Sequence, residues 1–341
     1  MEKQSYKFSS ATVDYYFNGD LAGLKEIVDI NNSFIITDEH LFHAHPSKFE
    51  GWNTIVLKPG EEYKIQATVD SVIQQLIEMG ADRKSTLIGV GGGVITDMTG
   101  YIASVYMRGV SFGFVPTSIL AMVDASIGGK NGIDVGIYKN MVGTIRQPAF
   151  LLYDLSLLKS LPLKEWENGF AEIIKHACIK DAAMFDELEQ HSIEYYQTNN
   201  EALQQLIQRN CLIKTKVVQE DEFEKADRKL LNFGHTLGHA IENEYKLMHG
   251  HAVTIGMVAA AKISEEINNF YSADLGRLVK LIDQYNLPSA YVYNKHKAFE
   301  TLKKDKKKQQ DYMQYVLLNK IGDAKVLNIP MVQLEELINN L

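Results

Sequence analysis

Thr86-Leu87-Ile88-Gly89-Val90-Gly91-Gly92-Gly93-Val94-Ile95-Thr96-Asp97 is the stretch that decides the fold. Its apolar start predicts a buried strand, its glycines a tight turn, and the residues from about 94 to 106 a helix. A helix N-terminus behind such a turn offers backbone N–H groups that can cradle a pyrophosphate. The pattern is not the dinucleotide fingerprint, which would need a glycine at Val94, and it lacks the Lys-Ser/Thr of a P-loop. Glycines selected only for positive φ are the alternative explanation. Asp97 in the helix's first turn, and the polar groups of Gly60-Glu61-Glu62-Tyr63-Lys64 available to a ribose, favour a nucleotide site.

Outward from this turn, the first 155 residues alternate short β-type runs with helical patterns. The runs are Phe34–Thr37, Thr54–Leu57, Leu87–Val90, Phe112–Val115 and Phe150–Tyr153, and residues 63–79 carry helical apolar spacing. Thirteen of the 24 glycines fall between Gly80 and Gly143. Beyond Pro162 no proline occurs before Pro288, and segments near 164–180, 200–219, 251–270 and 273–286 read as helices. The expected architecture is an α/β nucleotide-binding domain over 1–158 followed by an all-α domain over 159–341, with the cleft between them as the default site.

Composition narrows the function classes. The chain has 341 residues and a formal charge of −8, which argues against a nucleic-acid partner because phosphate-backbone binding draws on a basic face. No apolar run approaches the roughly 18–20 residues needed to span a bilayer, and the start MEKQSYKFSS lacks the pattern of a signal peptide. A soluble cytoplasmic protein is expected. Cys178 and Cys211 lie in helical segments without CxxC spacing, as reduced, buried thiols would.

The helical half carries the candidate chemistry. Glu172 sits in Gly169-Phe170-Ala171-Glu172-Ile173-Ile174-Lys175, His235 and His239 in Asn232-Phe233-Gly234-His235-Thr236-Leu237-Gly238-His239, and His249 follows. One carboxylate and two imidazoles suffice for a catalytic zinc site that keeps a position open, so Glu172, His235 and His249 could be ligands and His239 a proton-transfer group. The spacing of His235 and His239 puts both on one helix face, where Gly234 and Gly238 leave room for a ligand or another backbone. Histidines that merely pack on a neighbour would show the same spacing. His176 is expected to point away from the face of Glu172 and Lys175, and His191 to be exposed. Arg108, Lys130, Lys139, Lys175, Lys214 and Arg228 have polar, glycine-rich or ligand-flanked settings suited to an anionic substrate, although an isolated lysine is usually a solvated surface cation. The run Lys303–Lys308 reads as a charged surface loop.

The order of motifs is distinctive: GEEYK at 60–64, GGGVITD at 91–97, MRG at 107–109, VPTS at 115–118, VDASIGGKNG at 123–132, KNMVG at 139–143, EWENGFAEIIKH at 165–176 and RKLLNFGHTLGHAIE at 228–242. It resembles the 3-dehydroquinate synthases of the sugar-phosphate cyclase superfamily over roughly 60–260. The resemblance implies a cyclase that uses NAD and a divalent metal, zinc or cobalt, to convert 3-deoxy-D-arabino-heptulosonate 7-phosphate into 3-dehydroquinate and phosphate. Transient oxidation, phosphate elimination, re-reduction, ring opening and aldol closure are the implied steps, and a homodimer the implied assembly.

Carried onto this chain, the resemblance implies metal ligation by Glu172, His235 and His249, with His239 and Glu224 handling protons beside Lys175. Asp124, Lys130, Asn140, Lys175, Lys214, Arg228 and Asn232 would meet the substrate, and Arg108 with Lys306 or Lys307 its phosphate or carboxylate. Asp38, Glu61, Lys64, Gly92, Gly93, Val94, Asp97, Thr117, Ser118 and Lys139 would meet NAD. Two regions depart from the family pattern. His251 replaces the usual glutamate of HGEAV and could compete for the ion, and Asn131, Asp134 and Tyr138 stand where threonine, asparagine and glycine are more usual. Rival expectations are a sibling sugar-phosphate cyclase, whose substrate lacks the carboxylate that the cations would meet, a metal-dependent polyol dehydrogenase, and a non-catalytic NAD-binding protein.

Overall fold

A computed structural model of the protein describes residues 1–136, 138–224, 227–305 and 311–341. The chain divides into two compact units, Met1–Glu165 with Gln204–Glu222, and Trp166–Leu203 with Phe223–Leu341. The boundary expected at 158/159 lies just before the first crossing, and the return of 204–222 to the first unit is not foreseen by the sequence.

The first unit runs through β1 (Glu2–Lys7), β2 (Thr12–Phe17), β3 (Ser33–Asp38), α1 (Glu39–Ala44), β4 (Asn53–Leu57), α2 (Gln66–Glu78), β5 (Thr86–Gly91), α3 (Gly93–Val105), β6 (Ser111–Pro116), β7 (Lys130–Val135), β8 (Tyr138–Ile145) and β9 (Phe150–Leu152). Seven strands form one sheet in the order β1-β2-β9-β6-β5-β3-β4. All its neighbours pair in parallel except β1 on β2. Strands covered on both faces read as unbroken apolar runs, which is why β3, β5, β6 and β9 are legible in the sequence. Phe34, Ile35, Ile36, Leu87, Ile88, Val90, Phe114, Val115, Leu151 and Leu152 are all buried there. Between β3 and β5 the strand order reverses, since the connection from β3 leads to β4 on one side and β5 lies on the other. In open α/β sheets, ligands bind outside the carboxyl ends of the strands at such a switch point. Asp38 and the glycine turn occupy those two ends.

The remaining elements are α4 (Leu163–Lys180), α5 (Ala182–Leu188), α6 (Ile193–Thr198), α7 (Asn200–Glu220), α8 (His235–Tyr245), α9 (His249–Asn268), α10 (Ser272–Gln284), α11 (Lys295–Asp305), β10 (Tyr312–Lys320), β11 (Asp323–Pro330) and α12 (Met331–Asn340). The second unit is therefore helical, as expected, with one added antiparallel hairpin, β10–β11. Its turn is set by Gly322, whose φ of 82° is the left-handed conformation that favours glycine. Ser264 of α9 secures the hairpin by accepting the Leu318 N–H at 2.9 Å. Among the described residues no helix is long and apolar enough to cross a membrane.

From residue 204 onward, α7 belongs with the sheet unit. Tyr15 of β2 bonds Thr215 through its hydroxyl at 3.0 Å, and Cys211 donates to Tyr153 at 3.2 Å. Beyond the helix, Glu222 accepts from the Ser9 N–H at 2.9 Å and from Gln147 at 2.9 Å. Cys178 and Cys211 are both free and buried, and burial pushes the Cys211 thiol up to about 12.

Candidate active site

A carboxylate with no solvent exposure needs positive partners, and α4 provides the first one itself. Glu172 and Lys175 are 0% and 1% exposed and form an ion pair through Glu172 Oε2. The other oxygen, Oε1, faces His235 Nε2 at 3.4 Å and His249 Nε2 at 3.3 Å. Two packing devices bring the imidazoles there. Gly234, at φ 79°, turns the chain into α8, and a Cβ on Gly238 would lie only 2.8 Å from Ala252 O of α9. The room left by these glycines is thus filled by another backbone. Second, Asn168 Oδ1 accepts the Gly250 N–H at 2.6 Å, pinning the first turn of α9 to α4.

The protonation pattern follows from these contacts. Burial opposes charge on Glu172, but the Lys175 ammonium and the hydrogen-bonding imidazoles of His235 and His249 together outweigh it and hold the carboxyl well below the usual carboxylate range. Burial, reinforced by Lys175, lowers the His235 pKa, leaving that ring neutral. Its Nδ1 lies 3.1 Å from Phe233 O, a geometry in which Nδ1–H donates and the Nε2 lone pair points at Glu172. Burial also disfavours a charge on His249, yet its hydrogen bonds to Glu172 and Glu242 push the pKa up to about 10. A proton on His249, held between two carboxylates, marks a place that attracts a cation.

The donor set fits a divalent ion. Bonds of about 2.0–2.2 Å at tetrahedral angles would separate donor atoms by about 3.3–3.6 Å. The two Glu172–histidine distances fall in that range, and all three donors lie within 4.8 Å of one another. His239 is exposed and belongs instead to a second grouping with Glu242 and His249; its ring lies 5.1 Å from that of His235. Glu242, which accepts from His249 Nδ1 at 3.2 Å, was missed from sequence. The clue was available, because Glu242 follows His239 by three residues on the same helix. His176 corrects another expectation. Four residues after Glu172 it shares that helix face, with a ring nitrogen within 4.8 Å of the carboxylate and no exposure. His191 is half-buried, stacked on Tyr195 at 3.9 Å between ring centroids. His251 falls in none of the ligand groupings among the described residues.

Nearby in the second unit, Asn232 Nδ2 donates to Glu224 Oε1 at 2.8 Å, and both line a cavity of about 310 Å³ with Lys229, Thr236 and Gln314. Glu224 itself has φ 58°, and Arg228 is 3% exposed. Lys306 and Lys307 lie outside the described residues.

The first unit gathers the remaining expected residues. No side chain caps the N-terminus of α3, where Gly93 and Val94 follow Gly92. Thr117 N–H donates to Gly91 O at 3.0 Å, and Ser118 Oγ accepts from Ala121 N at 3.2 Å beside the open face of Gly92. Lys64, only 4% exposed, donates to Asp97 Oδ2 at 2.7 Å and Asn140 Oδ1 at 2.7 Å, with Glu61 3.8 Å away. Asp38 caps α1 by accepting the Leu41 N–H at 3.1 Å. Lys214 bonds both the carbonyl of Asp124 at 2.6 Å and its carboxylate at 2.8 Å. The π-helical turn Ala121–Ala125 presents that aspartate, closed by Ser126 Oγ donating to Ala121 O at 2.7 Å. Lys130 and Lys139 are exposed on the β7–β8 hairpin. Arg108 is exposed in a strained segment in which Met107 and Arg108 have φ of 48° and 68°.

Residues 54–168 match the family model for the 3-dehydroquinate synthase N-terminal region, and residues 169–308 that for the C-terminal region. The chain is 38% identical over 324 residues to 3-dehydroquinate synthase of Campylobacter curvus, covering 92% of each sequence. Among solved structures it is similar to 2-epi-5-epi-valiolone synthase from Streptomyces hygroscopicus, a structure with NAD+ and Zn2+ bound, at 26% identity and a TM-score of 0.88 over 100% of this chain and 99% of that one. It also shares its fold with 2-deoxy-scyllo-inosose synthase complexed with carbaglucose-6-phosphate, NAD+ and Co2+, at 24% identity and a TM-score of 0.87 over 99% of both chains. With the glycine turn at the sheet's switch point in one unit, a buried carboxylate between two imidazoles in the other, and both family models matched in tandem, the chain belongs to the 3-dehydroquinate synthase family.

Proposed function

We propose that the protein converts 3-deoxy-D-arabino-heptulosonate 7-phosphate into 3-dehydroquinate and phosphate, with NAD used catalytically and one divalent ion, zinc or cobalt, held by Glu172, His235 and His249. The observation that carries this reading is the set of three converging donors, with Glu172 Oε1 at 3.3 and 3.4 Å from the two Nε2 atoms, in a chain of this family. When bound, NAD would take up and return a hydride while the divalent ion polarises the oxygen being oxidised, which acidifies the neighbouring C–H and favours loss of phosphate.

The chain's own residues supply binding, orientation and proton handling. Lys64, Asp97 and Glu61, with Asp38, Thr117, Ser118, Lys139 and the amides of Gly92, Gly93 and Val94, hold the cofactor at the switch point. Lys214 is held at a fixed position by two bonds to Asp124 and so presents a localised charge to an anionic substrate. Lys130, Asn140, Lys175, Arg228 and Asn232 complete the substrate contacts, and Arg108 with Lys306 or Lys307 meets its phosphate or carboxylate. Glu224 is aimed by Asn232 and acts with the exposed His239 in proton transfer. Restricting the substrate to one reactive conformer is the protein's remaining contribution, because the ring-closing step is intramolecular.

The working form we propose is a cytoplasmic homodimer. Reduced thiols at Cys178 and Cys211 suit that compartment. In support of the dimer, β8 exposes Tyr138, Met141, Val142 and Ile145 on a strand whose one strand partner among the described residues is β7. An exposed apolar strand edge of this kind calls for a cover. The test of the activity is product formation from the heptulosonate phosphate by metal-replete protein, with and without NAD and a chelator. Dehydroquinate must appear only when both cofactors are present, and its absence from the complete mixture would refute the assignment.

A further inference from the structure

The loop that departs from the family pattern contains a closed ring of contacts. Pairing of β7 with β8 shifts register between Ile133 and Val135, so Asp134 is a bulge residue. Bulges re-aim side chains beside functional sites. Here the result is that the consecutive residues Ile133 and Asp134 are both buried, at 1% and 9% exposure. Asp134 N–H donates to Lys64 O at 2.8 Å, which ties the bulge to the chain just before α2. Its carboxylate Oδ1 accepts the N–H of Asn140 at 2.7 Å. Asn140 has a φ of 56°, a left-handed conformation that asparagine tolerates but that needs a fixed partner to persist. Held so, Asn140 turns its Oδ1 onto Lys64 Nζ at 2.7 Å, closing the ring that began at the Lys64 carbonyl.

We propose that Asp134 is a positioning residue for the cofactor site, fixing the Lys64 ammonium through the left-handed backbone of Asn140. The proposal rests on the reading of Lys64 as a cofactor-binding residue. Asp97 and Asn140 take two of the three ammonium protons, and Glu61 at 3.8 Å is beyond hydrogen-bonding distance. The third N–H has no acceptor within hydrogen-bonding distance among the described residues, which leaves it available to a ligand. Without Asn140 in place the ammonium falls back toward Asp97 and Glu61, and that donor is no longer presented. Charge adds to the effect. Burial works to lower the Lys64 pKa, but Asp97, Glu61 and Asp134 together raise it, so the lysine stays cationic. An asparagine at 134 could accept the same bond, which fits its being the more usual residue there.

The experiment is a calorimetric NAD titration of the metal-loaded, full-length protein and four variants. Asp134→Ala should weaken NAD binding about tenfold, and Asp134→Asn should recover affinity to within about threefold of the parent, because it keeps the acceptor. Asn140→Gly keeps the left-handed turn but loses the carboxamide, so it should weaken binding as Asp134→Ala does. The double variant Asp134→Ala/Asn140→Gly should then be no weaker than either single one, a non-additivity that general damage to the fold does not produce. Additive losses, an Asp134→Ala variant that binds NAD as well as the parent, or failure of Asp134→Asn to recover would each overturn the positioning role. A parent protein that binds no NAD would instead overturn the cofactor reading beneath it.

Discussion

Replacing Glu172 by glutamine keeps the shape of the side chain and removes its charge, so it isolates what the carboxylate does. In the parent, this group is fully buried, paired with Lys175 on one oxygen and facing two imidazoles on the other. Glutamine takes away the carboxylate charge that faces the Lys175 ammonium, itself 1% exposed. Breaking one side of a buried ion pair costs about 3–5 kcal/mol. At roughly 2–4 °C per kcal/mol for a unit of this size, the metal-free variant should melt about 6 °C or more below the parent. The same substitution removes the only carboxylate of the proposed ligand set and one of the two groups that keep His249 charged, so bound metal should fall well below one ion per chain. The assays are elemental analysis after dialysis and thermal melts with and without added zinc. Zinc should raise the melting temperature of the parent and leave that of Glu172→Gln nearly unchanged. A variant that retains a full metal complement and melts within about 2 °C of the parent would refute both the ligand role and the ion-pair energetics.

Three further outcomes are expected. His239→Ala should keep its metal while turnover falls by about 100-fold or more, as expected for loss of a proton-transfer group; metal loss equal to that of Glu172→Gln would contradict the separation of roles. Metal uptake should release protons: His249 has a pKa of about 10 without metal, so it is protonated at neutral pH and must lose that proton to coordinate, near one per ion. Calorimetric enthalpies that do not vary with the ionisation enthalpy of the buffer would count against this. Gly256→Ala places a methyl group against the Gly234 carbonyl and should destabilise the protein by about 1–3 kcal/mol, lowering metal affinity by splaying α8 from α9. An unchanged melting temperature would show that these helices can separate freely.

The buried features of the fold are the ones the sequence announces. β3, β5 and β6 carry uninterrupted apolar runs, and the glycine turn between β5 and α3 is visible because few other structures need three consecutive glycines. β1 escapes notice because it is a largely exposed edge strand, Glu2–Lys7, whose residues are polar or charged apart from Tyr6 and so carry no apolar alternation. The β10–β11 hairpin was hidden by its position after a helical half, although Met313, Tyr315 and Leu317 alternate inward as a strand's residues should. At the site, the residue types and their spacing within a helix were readable, but their convergence was not. Glu172 and His249 are separated by 77 positions and meet through the Asn168–Gly250 contact, which no periodicity encodes. Glu242 was legible as a helix neighbour of His239, three residues on, but its bond to His249 was not. His176 lies on the face of Glu172 because residues four apart on a helix share a face, a relation the spacing alone encodes.

In the proposed reaction NAD is consumed and regenerated within one catalytic cycle beside a divalent ion. This is tested most directly by following phosphate and reduced cofactor together during turnover of the heptulosonate phosphate by the metal-loaded protein. One phosphate should be released per dehydroquinate formed, with no net accumulation of reduced cofactor, and both products should be lost when NAD is omitted or the metal is chelated. Stoichiometric reduced cofactor without phosphate, or phosphate release that survives removal of NAD, would contradict it.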